Sequence, residues 1–381
     1  MGFEEGKILG FGCMRMPLLD RKDQASFDYE QIEAMFDTFL EQGFTYFDTA
    51  YTYHAFQSEN CVRKALVERH PRDSFELTTK LYLSKLKTAE DMENIFQDQL
   101  KKCGVDYFDY YLLHNMGQRV YRRCVEVDAF HFVKKKKEAG FAKNVGMSFH
   151  DSPELLEDIL SQYADCLDFV QLQVNYVDMD QANVQSRRCL EVARKYGLPV
   201  VVMEPCKGGT LVNVPEEAKK LMKNYAPDAS IASWALRYAA SQPGVVRVLS
   251  GMGSMEMVLD NCKTFRDFKP ITPEEEKIID KVIEVIHSNT AVPCTACGYC
   301  VDGCPMKIAI PQYFAAYNSI MRTSKGFSSQ LVYYNNTVLN HHGRASECIK
   351  CGKCEQACPQ HLTIRDYLED VAAKFEGMKK V

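Results

Sequence analysis

Two short cysteine runs constrain this chain more than any other feature of its sequence. Cys294, Cys297, Cys300 and Cys304 precede Pro305 with the spacing C-x₂-C-x₂-C-x₃-C-P, and Cys348, Cys351, Cys354 and Cys358 precede Pro359 with the same spacing. This is the bacterial-type [4Fe–4S] ligand pattern, in which one tight loop delivers three thiolates and the fourth cysteine of each run ligates the other cluster. Zinc also uses paired C-x₂-C, but four tetrahedral ligands give no reason for a third cysteine and then a fourth before proline, twice over. The expectation is two [4Fe–4S] clusters on these eight cysteines. Gly298, Gly303 and Gly352 lie beside the runs and could let backbone amides approach the sulfurs, where hydrogen bonds tune reduction potential.

The other eight of the 16 cysteines are scattered singly between Cys13 and Cys262 in a chain of 381 residues. A secreted disulfide scaffold would be small and would spread its pairs, so that class is excluded. The chain reads as a cysteine-poor domain joined to a cysteine-dense module. With 46% hydrophobic residues it can bury a real core and is not disordered. A formal net charge of −5 offers no basic footprint for nucleic acid. No apolar run approaches the ~18 residues of a membrane span, and the N-terminus MGFEEGKILGFG lacks the pattern of a signal peptide. A cytoplasmic protein is expected. Cys206, in the segment EPCKGG, is the one dispersed thiol placed where it could face a site.

Before the cysteine module, short β-rich runs alternate with longer amphipathic ones. Strands are predicted over 8–12, 45–48, 76–80, 107–114, 144–148, 169–173, 199–203 and 245–250, each four to eight residues long and apolar, as buried parallel strands are. Helical patterns fall over 29–42, 89–103, 129–140, 153–163, 183–196 and 229–240, and Gly43, Gly104, Gly140 and Gly197 supply stops. Eight strands with intervening helices predict an α/β chain, a (β/α)₈ TIM barrel. No G-x-G-x-x-G follows an early strand to support an open doubly wound sheet. Residues 272–287 form a further helix with Thr272 and Glu275 at capping-box spacing, and 310–322 reads as helical within the module. The expected organisation is a barrel over 1–265, a helical connector over 266–290, and a small, mainly helical, ferredoxin-like domain with two [4Fe–4S] clusters over 291–381.

Four polar residues fall at or just beyond the ends of consecutive predicted strands: Asp48 in FDTAYTY, Tyr53 in the following loop, Lys80 in ELTTK and His114 in YYLLH. The C-terminal rim is where barrels keep their active sites, and charges buried there need partners. Around D-T-A-x-x-Y at 48–53, T-K at 79–80, L-L-H at 112–114 and K-x-V-G-x-S at 143–148, the chain resembles the aldo/keto reductase family over residues 8–262. The cysteine module resembles dicluster ferredoxin domains. The 43 residues between Cys304 and Cys348 make it similar to the helical dicluster type.

The first resemblance implies a catalytic tetrad of Asp48, Tyr53, Lys80 and His114 acting on a small carbonyl or alcohol substrate. A phenol near pKa 10 keeps its proton at neutral pH, and an adjacent ammonium is expected to lower that value toward the useful range. Tyr53 is then the general acid, Lys80 its tuner and Asp48 the carboxylate holding Lys80. His114 orients the substrate oxygen. The resemblance also implies that Ser148 and Gln173 hold a nicotinamide carboxamide, with Met203 where a stacking ring is usual and Phe149–His150 where an amide is usual. Asp260 and Asn261 match the adenosine side. Gly208 and Gly209, and Gly251 and Gly253, fit barrel phosphate loops; these could hold NADP, NAD or FMN, since 250–257 lacks the Arg expected for a 2′-phosphate. Specificity is expected from a variable loop over 118–127 and from the C-terminal module.

A hydride carries two electrons and an iron–sulfur cluster one, so direct exchange between the modules needs a converter such as a flavin. Three readings stand at this level: a carbonyl reductase whose clusters relay electrons from or to a ferredoxin or flavoprotein; an ordinary NAD(P)H-dependent aldo/keto reductase with structural or sensory clusters; and an electron-carrier or regulatory protein on an idle barrel.

Overall fold

Eight parallel strands close into a barrel in chain order in the computed structural model, which describes residues 7–84, 86–288, 290–321 and 329–377. They are β1 (Leu9–Gly12), β2 (Tyr46–Asp48), β3 (Glu76–Leu81), β4 (Phe108–Met116), β5 (Ala142–Phe149), β6 (Phe169–Gln173), β7 (Val200–Met203) and β8 (Val245–Ser250). Each lies on a predicted run, with ends displaced by up to two residues, where ladder hydrogen bonds rather than side-chain pattern decide the boundary. β1 closes the barrel on β8, Leu9 opposite Val248. The interior is filled by Tyr46, Tyr110, Leu112, Phe169, Val201 and Leu249, mostly from even-numbered strands, as layered barrel packing requires. Gly10 makes room for them: a Cβ there would stand 2.7 Å from Leu249 and 2.9 Å from Tyr46.

The outer ring is built from α1 (Tyr29–Glu41), α2 (Ala89–Cys103), α3 (Gln118–Glu126), α4 (Ala129–Glu138), α5 (Pro153–Tyr163), α6 (Ser186–Lys195), α7 (Glu216–Tyr225), α8 (Ile231–Ala240) and α9 (Met255–Arg266). The predicted glycine stops Gly43, Gly104, Gly140 and Gly197 all adopt positive φ. The segment expected as a variable loop over 118–127 is instead the helix α3. It buries Val120, Tyr121 and Cys124 on one face, but its N-cap is Gly117, with no side-chain cap to announce it.

The helix expected as a connector is α10 (Pro273–Ser288). Its capping box forms: Thr272 Oγ1 accepts from Glu275 N at 3.2 Å, and Glu275 Oε2 accepts from Thr272 N at 2.9 Å. Ile279, Val282 and Ile286 are buried with Leu211, Met222 and Trp234, so α10 packs on α7 and α8. The C-terminal module follows, with α11 (Ile310–Met321), α12 (Ser329–Leu339) and α13 (Ile364–Phe375) around Tyr313, Phe314, Tyr334, Leu368 and Phe375. Arg322, which the sequence adds to α11, lies outside the described residues. The sequence pattern missed α12, because Asn335 and Asn336 interrupt its apolar face. Among the described residues no helix is long and apolar enough to cross a membrane.

Candidate active site

Asp48 ends β2 and Lys80 lies near the end of β3, where the two strands pair with Asp48 opposite Thr78. Two residues further along β3 is the same face of the barrel, so Lys80 rises beside Asp48. Lys80 is 1% exposed, and its Nζ donates to Asp48 Oδ1 at 2.6 Å, to Thr49 O at 2.8 Å and to Tyr53 Oη at 3.4 Å. An ammonium has three donors, and all three are committed. The second Asp48 oxygen accepts from Gln171 Nε2 at 3.3 Å, a buried amide that the sequence did not single out. Asp48, Lys80, Tyr53 and His114 are thus brought together. The Tyr53 ring lies 4.9 Å from Lys80 Nζ, and its centroid is 6.0 Å from that of His114, nearly perpendicular to it.

The backbone that delivers Tyr53 is unusual. His54, Ala55 and Phe56 follow it with φ of 49°, 51° and 70°. Consecutive left-handed L-residues are costly, and such strain persists where surrounding structure over-determines it. His54 is buried against the Phe27 ring at 5.0 Å, which pins the turn.

The electrostatics differ from expectation at one point. Burial holds the Tyr53 phenol above its ordinary value, and Lys80 only partly offsets this; the sequence weighed the ammonium and not the burial. Burial would also drive Lys80 down, but the Asp48 charge and Tyr53 together hold it above its ordinary value. Burial, with help from Lys80 and His150, keeps His114 well below the usual histidine range, so it is neutral at pH 7 and offers one N–H. The site therefore holds a protonated phenol and a neutral imidazole over a fixed ammonium. That combination can donate a proton to a developing alkoxide and stabilise its charge.

The residues expected to hold a nicotinamide separate into two groups. Ser148 Oγ accepts from Asn115 N at 2.8 Å, leaving its hydrogen free to donate. Gln173 donates through Nε2 to Asp178 Oδ2 at 2.6 Å, and its Oε1 is buried without a partner. A donor and an unfilled acceptor are what a carboxamide requires, so this end fits the group. Asp178 also accepts from Asn175 Nδ2 at 2.6 Å and from the buried Lys207, which fixes the orientation of Gln173. Gly208 and Gly209, after β7, have positive φ. At Gly251 a Cβ would meet the Arg15 side chain at 3.3 Å, so this phosphate-type loop has a guanidinium-bearing neighbour that sequence reading passed over. Of the two residues expected to face an adenosine, Asp260 accepts from Ser230 Oγ at 2.6 Å and Asn261 donates to Ser250 Oγ at 2.8 Å; both are already engaged. Burial, with the Glu204 and Asp260 charges, pushes the Cys206 thiol up to about 12, which favours its protonated form.

In the C-terminal module, Cys294, Cys297, Cys300 and Cys358 line one cavity, and Cys304, Cys348, Cys351 and Cys354 line another. The fourth cysteine of each run is thus grouped with the first three of the other. Among the described residues no three Cys, His, Asp or Glu converge closely enough for a single ion. Thiols spread around a cavity, rather than aimed at a point, fit a cubane cluster better than zinc. The two loops repeat each other's backbone: φ is positive at Ala296 and Lys350, at Gly298 and Gly352, and at Lys307 and His361. Amides approach the sulfurs at Ala296 N to Cys294 Sγ, 3.4 Å, and Ile308 N to Cys304 Sγ, 3.5 Å.

Comparison with known proteins bears on both parts. Residues 8–284 match the model of the aldo/keto reductase family, and residues 293–363 match that of the 4Fe-4S dicluster domain. The uncharacterized oxidoreductase YqkF of Bacillus subtilis is 23% identical over 304 residues, covering 71% of this chain and 90% of that protein. An aldo-keto reductase of Mycolicibacterium vanbaalenii is 28% identical over 254 residues, covering 64% and 81%. Among solved structures, aldo-keto reductase AKR11C1 from Bacillus halodurans in its holo form aligns with a TM-score of 0.58 at 24% identity, covering 72% of this chain and 91% of that one. An aldo/keto reductase from Klebsiella pneumoniae, solved in complex with NADP and acetate, aligns at 0.57 with 22% identity and the same coverage.

Proposed function

The chain belongs to the aldo/keto reductase family, and from that premise we propose that it reduces the carbonyl of a small substrate, or oxidises the corresponding alcohol, at Asp48, Tyr53, Lys80 and His114. The observation that carries this reading is the buried Lys80 ammonium, which bridges the Asp48 carboxylate and the Tyr53 phenol. Tyr53 Oη gives its proton to the substrate oxygen, and His114 donates a hydrogen bond to the same oxygen. Lys80 stabilises the phenolate left behind, and Asp48 with Thr49 O keeps Lys80 in place. Bound NADP(H) would supply or accept the hydride; the aldo/keto reductase from Klebsiella pneumoniae was solved in complex with NADP. Ser148 would donate to the carboxamide oxygen and Gln173 Oε1 would accept from its amide. Gly209 and Gly251 would face the phosphates, with Arg15 alongside; Asp260 and Asn261 would brace the adenosine-side loop rather than meet the cofactor directly.

The eight cysteines of the C-terminal module are proposed to hold two [4Fe–4S] clusters in the crossed grouping described above, which would supply one-electron chemistry. Cys297 and Cys351, one per cavity, are solvent-exposed. That exposure supports exchange of single electrons with a ferredoxin or flavoprotein, the flavin of the latter converting between hydride and one-electron steps. A second reading, with structural clusters, is favoured by the docking of α12 on the barrel rim, where Asn336 Nδ2 donates to His150 O at 2.8 Å and, just past the helix, Asn340 Nδ2 donates to Asp151 Oδ1 at 2.9 Å. Anaerobic turnover of an aldehyde panel with NADPH, NADH or reduced ferredoxin separates the two. The relay reading predicts that removing the clusters abolishes the ferredoxin-dependent rate. Reduction by a nicotinamide alone, at a rate indifferent to cluster loss, would leave the structural reading. A protein that turns over no carbonyl with any donor would refute the proposal.

A further inference from the structure

We propose that the two iron–sulfur sites are unequal, and that the cluster held by Cys304, Cys348, Cys351 and Cys354 has the higher reduction potential because its loops carry Lys307, Lys350 and Lys353. An electron entering the module comes to rest there, on the side tied to the barrel. The proposal rests on the assignment of the eight cysteines to two [4Fe–4S] clusters.

The two cysteine runs share one spacing, so each residue beside one cavity has a counterpart beside the other. Their backbones repeat, with positive φ at Ala296 and Lys350, at Gly298 and Gly352, and at Lys307 and His361. One sulfur in each cavity accepts from a backbone amide: Cys294 Sγ from Ala296 N at 3.4 Å, and Cys304 Sγ from Ile308 N at 3.5 Å. Solvent reaches the two alike, since Cys297 and Cys351 are exposed while Cys300 and Cys354 are only 6% and 7% exposed. Amide hydrogen bonds, exposure and charge set the potential of a given cluster type. The first two are matched here, and charge is not. The first cavity has Ala296, Tyr299 and His361 where the second has Lys350, Lys353 and Lys307.

All three lysines stand in the loops that carry the second cavity's cysteines. Lys350 and Lys353 flank Cys351, Lys307 N donates to Cys304 O at 3.0 Å, and Lys353 Cβ lies 4.0 Å from a Cβ placed on Gly303. Lys350 is ion-paired with Glu369, but the two side chains are 63% and 62% exposed, where such a pair is weak. Lys307 and Lys353 have no acidic partner among the described residues. The acids within the runs do not cancel this excess. Glu355 is paired with Arg365 at 2.8 Å, and Asp302 lies between Cys300 of the first cavity and Cys304 of the second, common to both. Reduction adds one negative charge to a cluster, so neighbouring cations stabilise the reduced form. An electron delivered by reduced ferredoxin therefore passes from the first cluster to the second. One core is oxidised from 1+ to 2+, the other is reduced from 2+ to 1+, and no proton moves and no bond breaks.

The second cavity is also the one tied to the barrel. Lys307 O accepts from Gly343 N at 3.3 Å and from His342 Nδ1 at 2.9 Å. In the same segment Asn340 Nδ2 donates to Asp151 Oδ1 at 2.9 Å, and His341 Nε2 accepts from Arg122 Nη2, on α3, at 3.4 Å. Among the described residues no hydrogen bond joins 293–300 or 358–363, the loops of the first cavity, to the barrel.

The test is a redox titration of the anaerobically purified full chain with dithionite, followed by electron paramagnetic resonance. The wild type should show two midpoints separated by at least about tenfold in reduction equilibrium, ~59 mV for a one-electron couple. Lys307→His, Lys350→Ala and Lys353→Tyr together give the second cavity the first one's residues, and should lower only the higher midpoint, closing the gap. The reciprocal variant, Ala296→Lys with Tyr299→Lys and His361→Lys, should raise only the lower one. Lys353→Gln alone, at an exposed side chain, should move the higher midpoint part of the way and keeps the test standing if a triple variant fails to load iron. Equal midpoints in a wild type with about eight iron per chain overturn the inequality. Iron-replete variants with unmoved midpoints, or a lysine variant that lowers the other midpoint, do the same. Fewer than about four iron in the wild type overturns the two clusters themselves, and the inequality with them.

Discussion

At the scale of single residues, buried charge organises the site. Lys80→Met would leave the Asp48 carboxylate buried with only the 3.3 Å bond from Gln171. Removing one partner of a buried pair strands the other, so denaturant unfolding should show a loss of about 3–5 kcal/mol. Glu59 lies directly behind the site: 0% exposed, it accepts from Thr79 Oγ1 at 2.6 Å and Gln99 Nε2 at 2.8 Å, while its second oxygen has no partner. Burial pushes its carboxyl up from 4.5 to about 7. The native state therefore holds this proton where the unfolded chain releases it, and stability contributed by Glu59 falls as pH rises through that window. Glu59→Gln should raise stability near pH 8 by on the order of 3 kcal/mol and change little near pH 4.5, as thermal unfolding at the two pH values would show. Because burial raises Tyr53 and lowers His114, kcat/KM for reduction should be flat between about pH 7 and 9; a decline there would place a titrating group in the site that these residues do not provide. Lys80 and Asp48 were legible in the sequence because strand-end charges need partners. The direction of the Tyr53 shift was not, since burial is a property of the packed barrel.

At the scale of elements, pattern carried most of the fold. The eight strands announced themselves as short apolar runs, and the glycine stops as Gly43, Gly104, Gly140 and Gly197. Thr272 and Glu275 announced α10, and Thr272→Ala should cost about 1 kcal/mol in unfolding free energy by removing its cap. The helices that escaped are α3, α7, α9, α12 and α13; of these, α3 starts at Gly117 without a side-chain cap, and α12 carries Asn335 and Asn336 because it faces a polar rim as well as its own module. The left-handed run after Tyr53 was equally invisible, as His54, Ala55 and Phe56 are ordinary residues in an extraordinary conformation. Ala55→Gly should relieve strain and raise stability by about 1 kcal/mol, with lower activity if the strained turn is what aims Tyr53; a destabilised variant would show that the turn is not strained.

At the scale of the whole molecule, the dispersed and clustered cysteines belong to two units that meet at the barrel rim through α12. Anaerobically purified protein should contain about eight iron and eight sulfide per chain, and fewer than four iron would rule out two clusters. Cys358→Ser should lower the content of the cluster that also depends on Cys294, Cys297 and Cys300. Since Tyr313, Tyr334 and six of the eight module cysteines share one core, chelating the iron should speed hydrogen exchange along 329–339, which rests on the rim. The reductase site itself is tested most directly by anaerobic NADPH-dependent carbonyl reduction in Tyr53→Phe beside the wild type, both with full iron. Removing only the phenolic proton donor should cut the rate by about 10²–10⁴ and leave iron, sulfide and the fold as they were; an unimpaired rate in Tyr53→Phe would contradict the assignment of this barrel as a carbonyl reductase acting through Tyr53.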